Sequence, residues 1–198
     1  MASIPNSILP RRKKNALKRL LAAAIVLLLA YVISHLGYDL GTGTAQSPVA
    51  PGHYRVVNVA DGDTFSVSMN GIEERVRLVG VDTPETHHPS KGVQCFGADA
   101  SNFTKDLIAG KSVRLEADTQ QPNRDRYSRL LRYVYLEDGR ELNELLVREG
   151  YALATDFNTS KKQLFKDLQD KAKNERKGLW GSCAIETDNG RLQTAPAG

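Results

Sequence analysis

The chain contains, at residues 63–82, the stretch Asp63-Thr-Phe-Ser-Val-Ser-Met-Asn70-Gly71-Ile-Glu-Glu-Arg-Val-Arg77-Leu-Val-Gly-Val-Asp82. Polar and apolar residues alternate on both sides of Asn70-Gly71, which is typical of two half-buried strands joined by a tight turn. With Asn70 and Gly71 as the loop, counting outward places Thr64 opposite Arg77. The stretch therefore predicts a β-hairpin whose open end carries charged residues.

Two acidic residues meet at this open end. Directly opposed residues of an antiparallel pair lie about 4.5–5.5 Å apart, so the hairpin brings Asp63 and Asp82 close together, with Arg77 between them. Pro84 disfavours a helical conformation at the residue before it and fixes its own φ, so Asp82 and Glu85 lie on a stiff loop. Carboxylates held this close favour a bound cation.

Three segments of the chain resemble the signature segments of the staphylococcal nuclease (thermonuclease) family. They are Asp61-Gly-Asp-Thr64, Arg77-Leu-Val-Gly-Val-Asp-Thr-Pro-Glu-Thr86 and Asp125-Arg-Tyr-Ser-Arg129. The resemblance extends from about Tyr54 to Trp180. It implies a mainly β domain with α-helices, namely a five-stranded OB-fold barrel with three helices. It also implies a Ca²⁺-dependent endonuclease that hydrolyses DNA and RNA to 3′-phosphate products.

The order of the predicted elements agrees with this fold. Strand patterns occupy residues 54–60, 63–69, 72–79, 111–117 and 129–135. Helical patterns occupy residues 98–109 and 141–149, and a third begins at the capping box Ser160-x-x-Gln163 and ends at Gly178. Five strands interrupted by one helix and followed by two predict an OB barrel covered by helices.

The resemblance implies a metal site at the hairpin end. Asp63 and Asp82, joined by the backbone carbonyl of Thr83, are expected to bind Ca²⁺, which takes six to eight oxygen ligands including water. The sequence has no Cys/His cluster of the kind that binds zinc. Considered apart from the motifs, the two acids could also be ordinary turn residues.

The resemblance also assigns catalytic roles. Glu85 is expected to act as general base on the attacking water. Arg77 and Arg129 are expected to hold the phosphoryl oxygens, because planar guanidinium groups suit phosphate. The alternatives are a solvated loop acid for Glu85 and surface salt bridges for the two arginines.

Substrate-binding residues are expected in two places. Arg126 and Tyr127 match positions near the nucleotide's phosphate in the family. The family prototype has two tyrosines that pack around the base, and here Asp156 and Asn158 stand in their places, with Phe157 between them. Phe157 is expected either to stack on a base or to lie in the core.

The N-terminal region differs in composition from the rest of the 198 residues. Residues 1–19 are basic, and residues 20–38 are uncharged and largely apolar, which is typical of a transmembrane anchor or of a signal-peptide core. Positive charge before this segment predicts that the following domain lies on the extracytoplasmic side, either membrane-anchored or secreted after cleavage. Outside residues 1–38, acidic residues outnumber basic ones, so the net charge of +4 says little about the substrate.

The remaining boundaries follow from composition. Residues 39–52 are expected to be a linker, residues 53–184 a monomeric nuclease-like domain, and residues 185–198 a disordered tail. In an exported protein, Cys95 and Cys183 predict a disulfide rather than two free thiols, although both states stay open. His87 and His88 are expected in a surface loop, with metal binding or proton transfer as the alternative.

Two other functions are compatible with parts of the pattern. One is a non-catalytic nucleic-acid-binding OB module, and the other is a metal-dependent phosphatase of small exported phosphoesters, which the acidic domain and the missing tyrosines would suit. The presence of all four of Asp63, Arg77, Glu85 and Arg129 favours the endonuclease.

Overall fold

The computed structural model describes residues 11–35, 52–86 and 92–197. The chain divides into two compact units, Met1–Ser47 and Pro48–Gly198. The first contains α1 (Arg11–His35), along which Leu21 and Leu27 are exposed. Among the described residues, no helix is long and apolar enough to cross a membrane. The anchor or signal-peptide core expected over residues 20–38 extends beyond the described residues and stays a prediction. Most of the expected linker, and both His87 and His88, lie outside the described residues.

The second unit is built on a closed barrel of five strands in the order β1-β2-β3-β6-β5. These strands are β1 (His53–Asp61), β2 (Thr64–Met69), β3 (Ile72–Leu78), β5 (Ser112–Glu116) and β6 (Leu130–Tyr135). The remaining strands are β4 (Val81–Asp82), β7 (Leu153–Ala154), β8 (Ile185–Asp188) and β9 (Arg191–Thr194). The helices of this unit are α2 (Gly97–Ile108), α3 (Leu142–Arg148), α4 (Lys162–Asn174) and α5 (Leu179–Ser182). The expected five-stranded barrel with helices is therefore confirmed.

The β2–β3 hairpin has the register that the sequence predicts. Thr64 pairs with Arg77, and both turn residues have positive φ, 53° for Asn70 and 79° for Gly71, as a type I′ turn requires. β3 also pairs in parallel with β6, where Val76 lies opposite Leu130. This parallel pair closes the barrel beside the charged end of the hairpin.

A continuous apolar core joins the barrel strands to the helices that cover them. Its largest fully buried side chains are those of Tyr133, Phe65, Phe165, Leu78 and Ile108. Phe165 projects from α4 onto Gly80, where an added Cβ would lie 2.7 Å from the Phe165 ring and φ is +75°. Only glycine permits this close approach, so α4 lies directly over the chain that leads from β3 to Asp82.

The predicted capping box at the start of α4 is not formed. α4 begins at Lys162 without a side-chain cap, and the Oγ of Ser160 donates instead to Asp118 Oδ2 over 2.9 Å. The side chain of Gln163 bonds Asp167, one turn along α4. A buried carboxylate at Asp118 outcompetes the helix end for Ser160, because hydrogen bonds to charged groups are the stronger ones.

The expected disordered tail is instead an ordered hairpin. β8 and β9 pair antiparallel with each other, and the backbone of Ala195 and Ala197 bonds to Cys95 and Val93. The ordered part of this unit therefore runs to Ala197, well past the expected domain end at residue 184. The polar composition pointed to disorder, but Asn189-Gly190 carries the same turn signal as Asn70-Gly71, with φ of 50° and 79°.

Candidate active site

Arg77 organises the open end of the hairpin. Its side chain is only 15% exposed, and Nη1 donates to the carbonyl oxygens of Leu78 (2.8 Å) and Val81 (2.7 Å). Nη2 lies 3.1 Å from Asp63 Oδ2 and 2.5 Å from Asp82 Oδ1. Burial opposes the charge of Arg77, but the neighbouring carboxylates outweigh it and raise the pKa of the guanidinium, which stays cationic. One side chain thus contacts the end of β3, the start of β4 and the two carboxylates that are expected to bind the metal.

Asp63 is fixed by the residues around it. It is 6% exposed, and its Oδ1 accepts from the hydroxyl of Thr64 (2.8 Å) while Oδ2 accepts from the backbone N–H of Thr83 (3.0 Å). The loop before it touches Thr83, since an added Cβ on Gly62 would lie 2.8 Å from Thr83 Cγ2. The two motifs that carry Asp63 and Asp82 are therefore in direct contact.

Glu85 is positioned by a residue that the motifs did not indicate. The side-chain Oε1 of Gln94 accepts from the N–H of Glu85 (2.8 Å), and the N–H of Gln94 donates to the carbonyl of Glu85 (2.9 Å). The first residue of α2, Gly97, packs so closely that an added Cβ would lie 2.7 Å from the same carbonyl oxygen. No motif or periodic pattern in the sequence indicates that Gln94 contacts Glu85.

The carboxylates crowd one another. Glu85 is an exposed residue, yet partial burial of its carboxylate and the negative charges of Asp63 and Asp61 raise its pKa to about 7. The same two acids, after desolvation, raise the pKa of Asp82 to about 6, against the opposing charge of Arg77. Asp61 is a further site residue, and its position two residues before Asp63 is the only sequence signal for it. The site holds more negative charge than Arg77 balances.

The donors suit a calcium ion. All are hard oxygen atoms, and the excess negative charge is what a divalent cation would offset. Among the described residues, no group of three or more His, Cys, Asp or Glu side chains is arranged to hold a metal ion. The expected site needs only Asp63 and Asp82, because a backbone carbonyl and water complete a Ca²⁺ shell. Thr83 also has a buried hydroxyl oxygen without a hydrogen-bond partner among the described residues.

Arg129 reaches this centre from the loop that precedes β6. Asp125 orients it, since Oδ2 accepts from Arg129 Nε (2.7 Å) and Oδ1 accepts from the backbone N–H of Arg129 (2.9 Å). Arg129 Nη1 then lies 3.4 Å from the hydroxyl of Thr64, which itself bonds Asp63. The two arginines that are expected to be catalytic thus belong to one site, and Asp125 is a positioning residue that the motif contained without a stated role.

The expected substrate-binding side chains are exposed. Tyr127 is 58% exposed, and the guanidinium carbons of Arg126 and Arg129 lie 4.8 and 5.3 Å from the centre of its ring. Phe157 is 53% exposed, which rules out the core alternative, and Arg191 lies over its ring at 5.3 Å. These aromatic faces are open to a ligand.

The two cysteines form the expected disulfide. Cys95 and Cys183 are joined with an S–S distance of 2.03 Å and a Cα–Cα distance of 5.9 Å. Their separation in sequence is 88 residues, so the bond ties the start of α2 to the segment after α5. Cys95 directly follows Gln94, which bonds Glu85.

Comparison with known proteins is consistent with this geometry. Residues 75–182 match the family model described as staphylococcal nuclease homologue. A thermonuclease of Staphylococcus intermedius is 37% identical over 169 residues, which cover 83% of this chain and 99% of that protein. A thermonuclease of Staphylococcus hyicus is 41% identical over 132 residues (65% of this chain, 76% of that protein). Endonuclease YncB of Bacillus subtilis is 36% identical over 161 residues (77% and 75%). This chain belongs to the staphylococcal nuclease family.

Proposed function

We propose that the chain is a Ca²⁺-dependent endonuclease that hydrolyses DNA or RNA to 3′-phosphate products. Its family, whose members here include thermonucleases and an endonuclease, makes it a nuclease and hence a hydrolase. The observation that supports the proposal most is the meeting of three motifs: Arg77 Nη2 contacts both Asp63 and Asp82, while Arg129 reaches Thr64. Ordinary surface ion pairs would not require residues of three separate motifs to meet in one place.

In this mechanism, Asp63, Asp82 and the backbone carbonyl of Thr83 would hold the ion. When bound, Ca²⁺ would supply positive charge that polarises the phosphodiester and offsets the charge of its transition state. Glu85 orients a water molecule and accepts its proton as the water oxygen attacks phosphorus. Arg129, held by Asp125, donates to the non-bridging oxygens while the bond to the 5′ oxygen breaks. The 5′ oxygen takes up a proton from solvent water and leaves as a hydroxyl, and the phosphate stays on the 3′ side.

The motif suggests that Arg77 holds the phosphoryl oxygens, but its contacts indicate a different role. Both of its Nη atoms already donate to protein acceptors, two carbonyls and two carboxylates. We therefore propose that Arg77 contributes chiefly by holding Asp63 and Asp82 in place and by adding positive charge next to the phosphate. Arg129, with fewer protein acceptors, is the main phosphate donor.

We also propose that the domain acts outside the cytoplasm. The Cys95–Cys183 disulfide supports this, because such bonds persist in oxidising compartments and are rare in the cytosol. The test is mass spectrometry of non-reduced peptides from protein recovered from each cell fraction. Recovery of the chain in the cytosol with two free thiols would contradict the proposal.

The activity is tested with the full chain on plasmid DNA, in Ca²⁺ and then in an excess of chelator. We expect cleavage that needs Ca²⁺ and that Asp63→Ala abolishes, with weaker Ca²⁺ binding by calorimetry. Asp138→Ala is the matched control, because Asp138 is 51% exposed at a turn and pairs only with Arg140 among the described residues. Binding without cleavage would select the OB module, and phosphate release from free nucleotides alone would select the phosphatase.

A further inference from the structure

The β8–β9 hairpin is attached to the segment that positions Glu85. Thr194 Oγ1 donates to the carbonyl of Cys95 over 2.8 Å, and the N–H of Cys95 donates to the carbonyl of Ala195 over 2.8 Å. The neighbouring residue, Gln94, is the one whose side chain bonds Glu85. The hairpin is therefore built into the edge of the active site, although it lies beyond residues 75–182, which match the family model.

Arg191, the first residue of β9, lies against Phe157 from this hairpin. It is exposed, and its guanidinium carbon lies 5.3 Å from the ring centre of Phe157. Phe157 follows β7, in which Leu153 pairs with Asp82. Arg191 and Phe157 thus lie together on the Asp82 side of the site, whereas Arg129 and Tyr127 approach from the Asp63 side.

We infer that Arg191 and Phe157 form a subsite for a nucleotide one step beyond the two that the cleaved linkage joins. The inference rests on the proposed nuclease activity and extends it. The exposed ring of Phe157 offers a face on which a base can stack, and the guanidinium over it can bind the neighbouring phosphate. Asp156 and Asn158, which flank Phe157, provide no such face. The subsite therefore selects a polynucleotide over a minimal phosphodiester, which is too short to reach it.

The test compares Arg191→Gln with wild type on two substrates, a single-stranded DNA of about 12 nucleotides and a thymidine dinucleotide. We expect KM for the longer substrate to rise about tenfold and the slope of log KM against log salt to fall by about one, as for the loss of one phosphate contact. The increase in KM for the dinucleotide should be several times smaller. Arg191→Lys should recover part of the loss, because the positive charge is kept.

Arg140→Gln is the control, since it also removes one positive charge from an exposed arginine, which here pairs with Asp138 at a turn. It should leave both KM values close to those of the wild type. Phe157→Ala provides a second variant and should raise KM for the longer substrate in the same way. Thermal melts establish that each variant is folded.

Two outcomes are distinguishable. Wild type that cleaves neither substrate would overturn the proposed function itself. Wild type that cleaves both, with Arg191→Gln and Phe157→Ala showing unchanged KM for the longer substrate or equal losses on both substrates, would overturn the subsite alone.

Discussion

Replacement of Arg77 by lysine separates its structural part from its catalytic part. Lysine keeps the positive charge but has a single ammonium group in place of a planar fork. In the structure, Nη1 bonds two carbonyls while Nη2 contacts two carboxylates, so one ammonium cannot reach all four acceptors. The backbone carbonyls of Leu78 and Val81 are the acceptors that we expect to lose their donor.

The expected cost follows from these contacts. Each hydrogen bond from a charged donor contributes about 1.5–3 kcal/mol. The Asp82 pair adds little, since that carboxylate is 48% exposed. Allowing for partial retention of the Asp63 pair, we expect Arg77→Lys to lower the free energy of unfolding by about 3 kcal/mol. For a domain of this size, that corresponds to a decrease in Tm of about 10 °C.

The assay pairs calorimetric melting with kcat on single-stranded DNA below the variant's Tm. Arg77→Lys should lose about 10²-fold or more in kcat as well as stability, because displaced carboxylates spoil the electrostatics of the site. Arg129→Lys is the comparison, since Arg129 has Asp125 as its one carboxylate partner among the described residues. It should show a similar loss of kcat with only about 1 kcal/mol of lost stability.

Two results would refute this reasoning. If Arg77→Lys melted at the wild-type temperature, the four contacts would not hold the end of the hairpin. If Arg129→Lys lost as much stability as Arg77→Lys, the proposed division between an organising and a phosphate-binding arginine would be wrong.

Three further predictions concern single contacts. Glu85→Gln should lower kcat by at least about 10² with an unchanged circular dichroism spectrum, and near-normal turnover would reject its role as base. Reduction of Cys95–Cys183 should lower the free energy of unfolding by about 2–5 kcal/mol without abolishing activity, and melts with and without dithiothreitol measure this. Burial raises the pKa of Asp118, whereas hydrogen bonds from Tyr133 and from backbone N–H groups lower it. The hydrogen bonds outweigh burial, so the pKa lies below its usual value. Its contribution to stability is therefore complete above its unfolded pKa of about 3.9 and is lost as pH falls through the lower folded value. The stability difference between wild type and Asp118→Asn should accordingly shrink in acid, and a constant difference across urea melts at several pH values would contradict the assignment.

Local sequence signals predicted the part of the site that local structure builds. Asn70-Gly71 sets the turn, and strand alternation then sets the register that places Thr64 opposite Arg77. The acids at the hairpin end lie within twenty positions of each other, so their meeting needed no knowledge of the rest of the fold. The closed five-stranded barrel followed from the order of the elements in the same way.

Residues whose roles depend on tertiary contacts were not predictable from sequence. Gln94 bonds Glu85 only because the chain returns to this loop, and no periodic pattern marks a single buried amide. Ser160 was assigned to a helix cap, but its hydroxyl bonds Asp118, which is 42 positions away. Arg191 follows the Asn189-Gly190 turn of a polar tail, and the hairpin built on that turn also bonds the segment around Cys95. In each case a tertiary contact decided between local alternatives.

Closure of the barrel through β3 and β6 implies that the active site is assembled in two stages during folding. Asp63, Arg77 and Asp82 can come together in a hairpin with a two-residue turn, and such hairpins form within about 1–10 μs. Arg129 joins them only when Val76 pairs with Leu130, which requires a long loop to close and is intrinsically slower. We therefore expect a newly made chain to gather its cluster of carboxylates before Arg129 joins them. Cleavage of nucleic acid must wait for the non-local step.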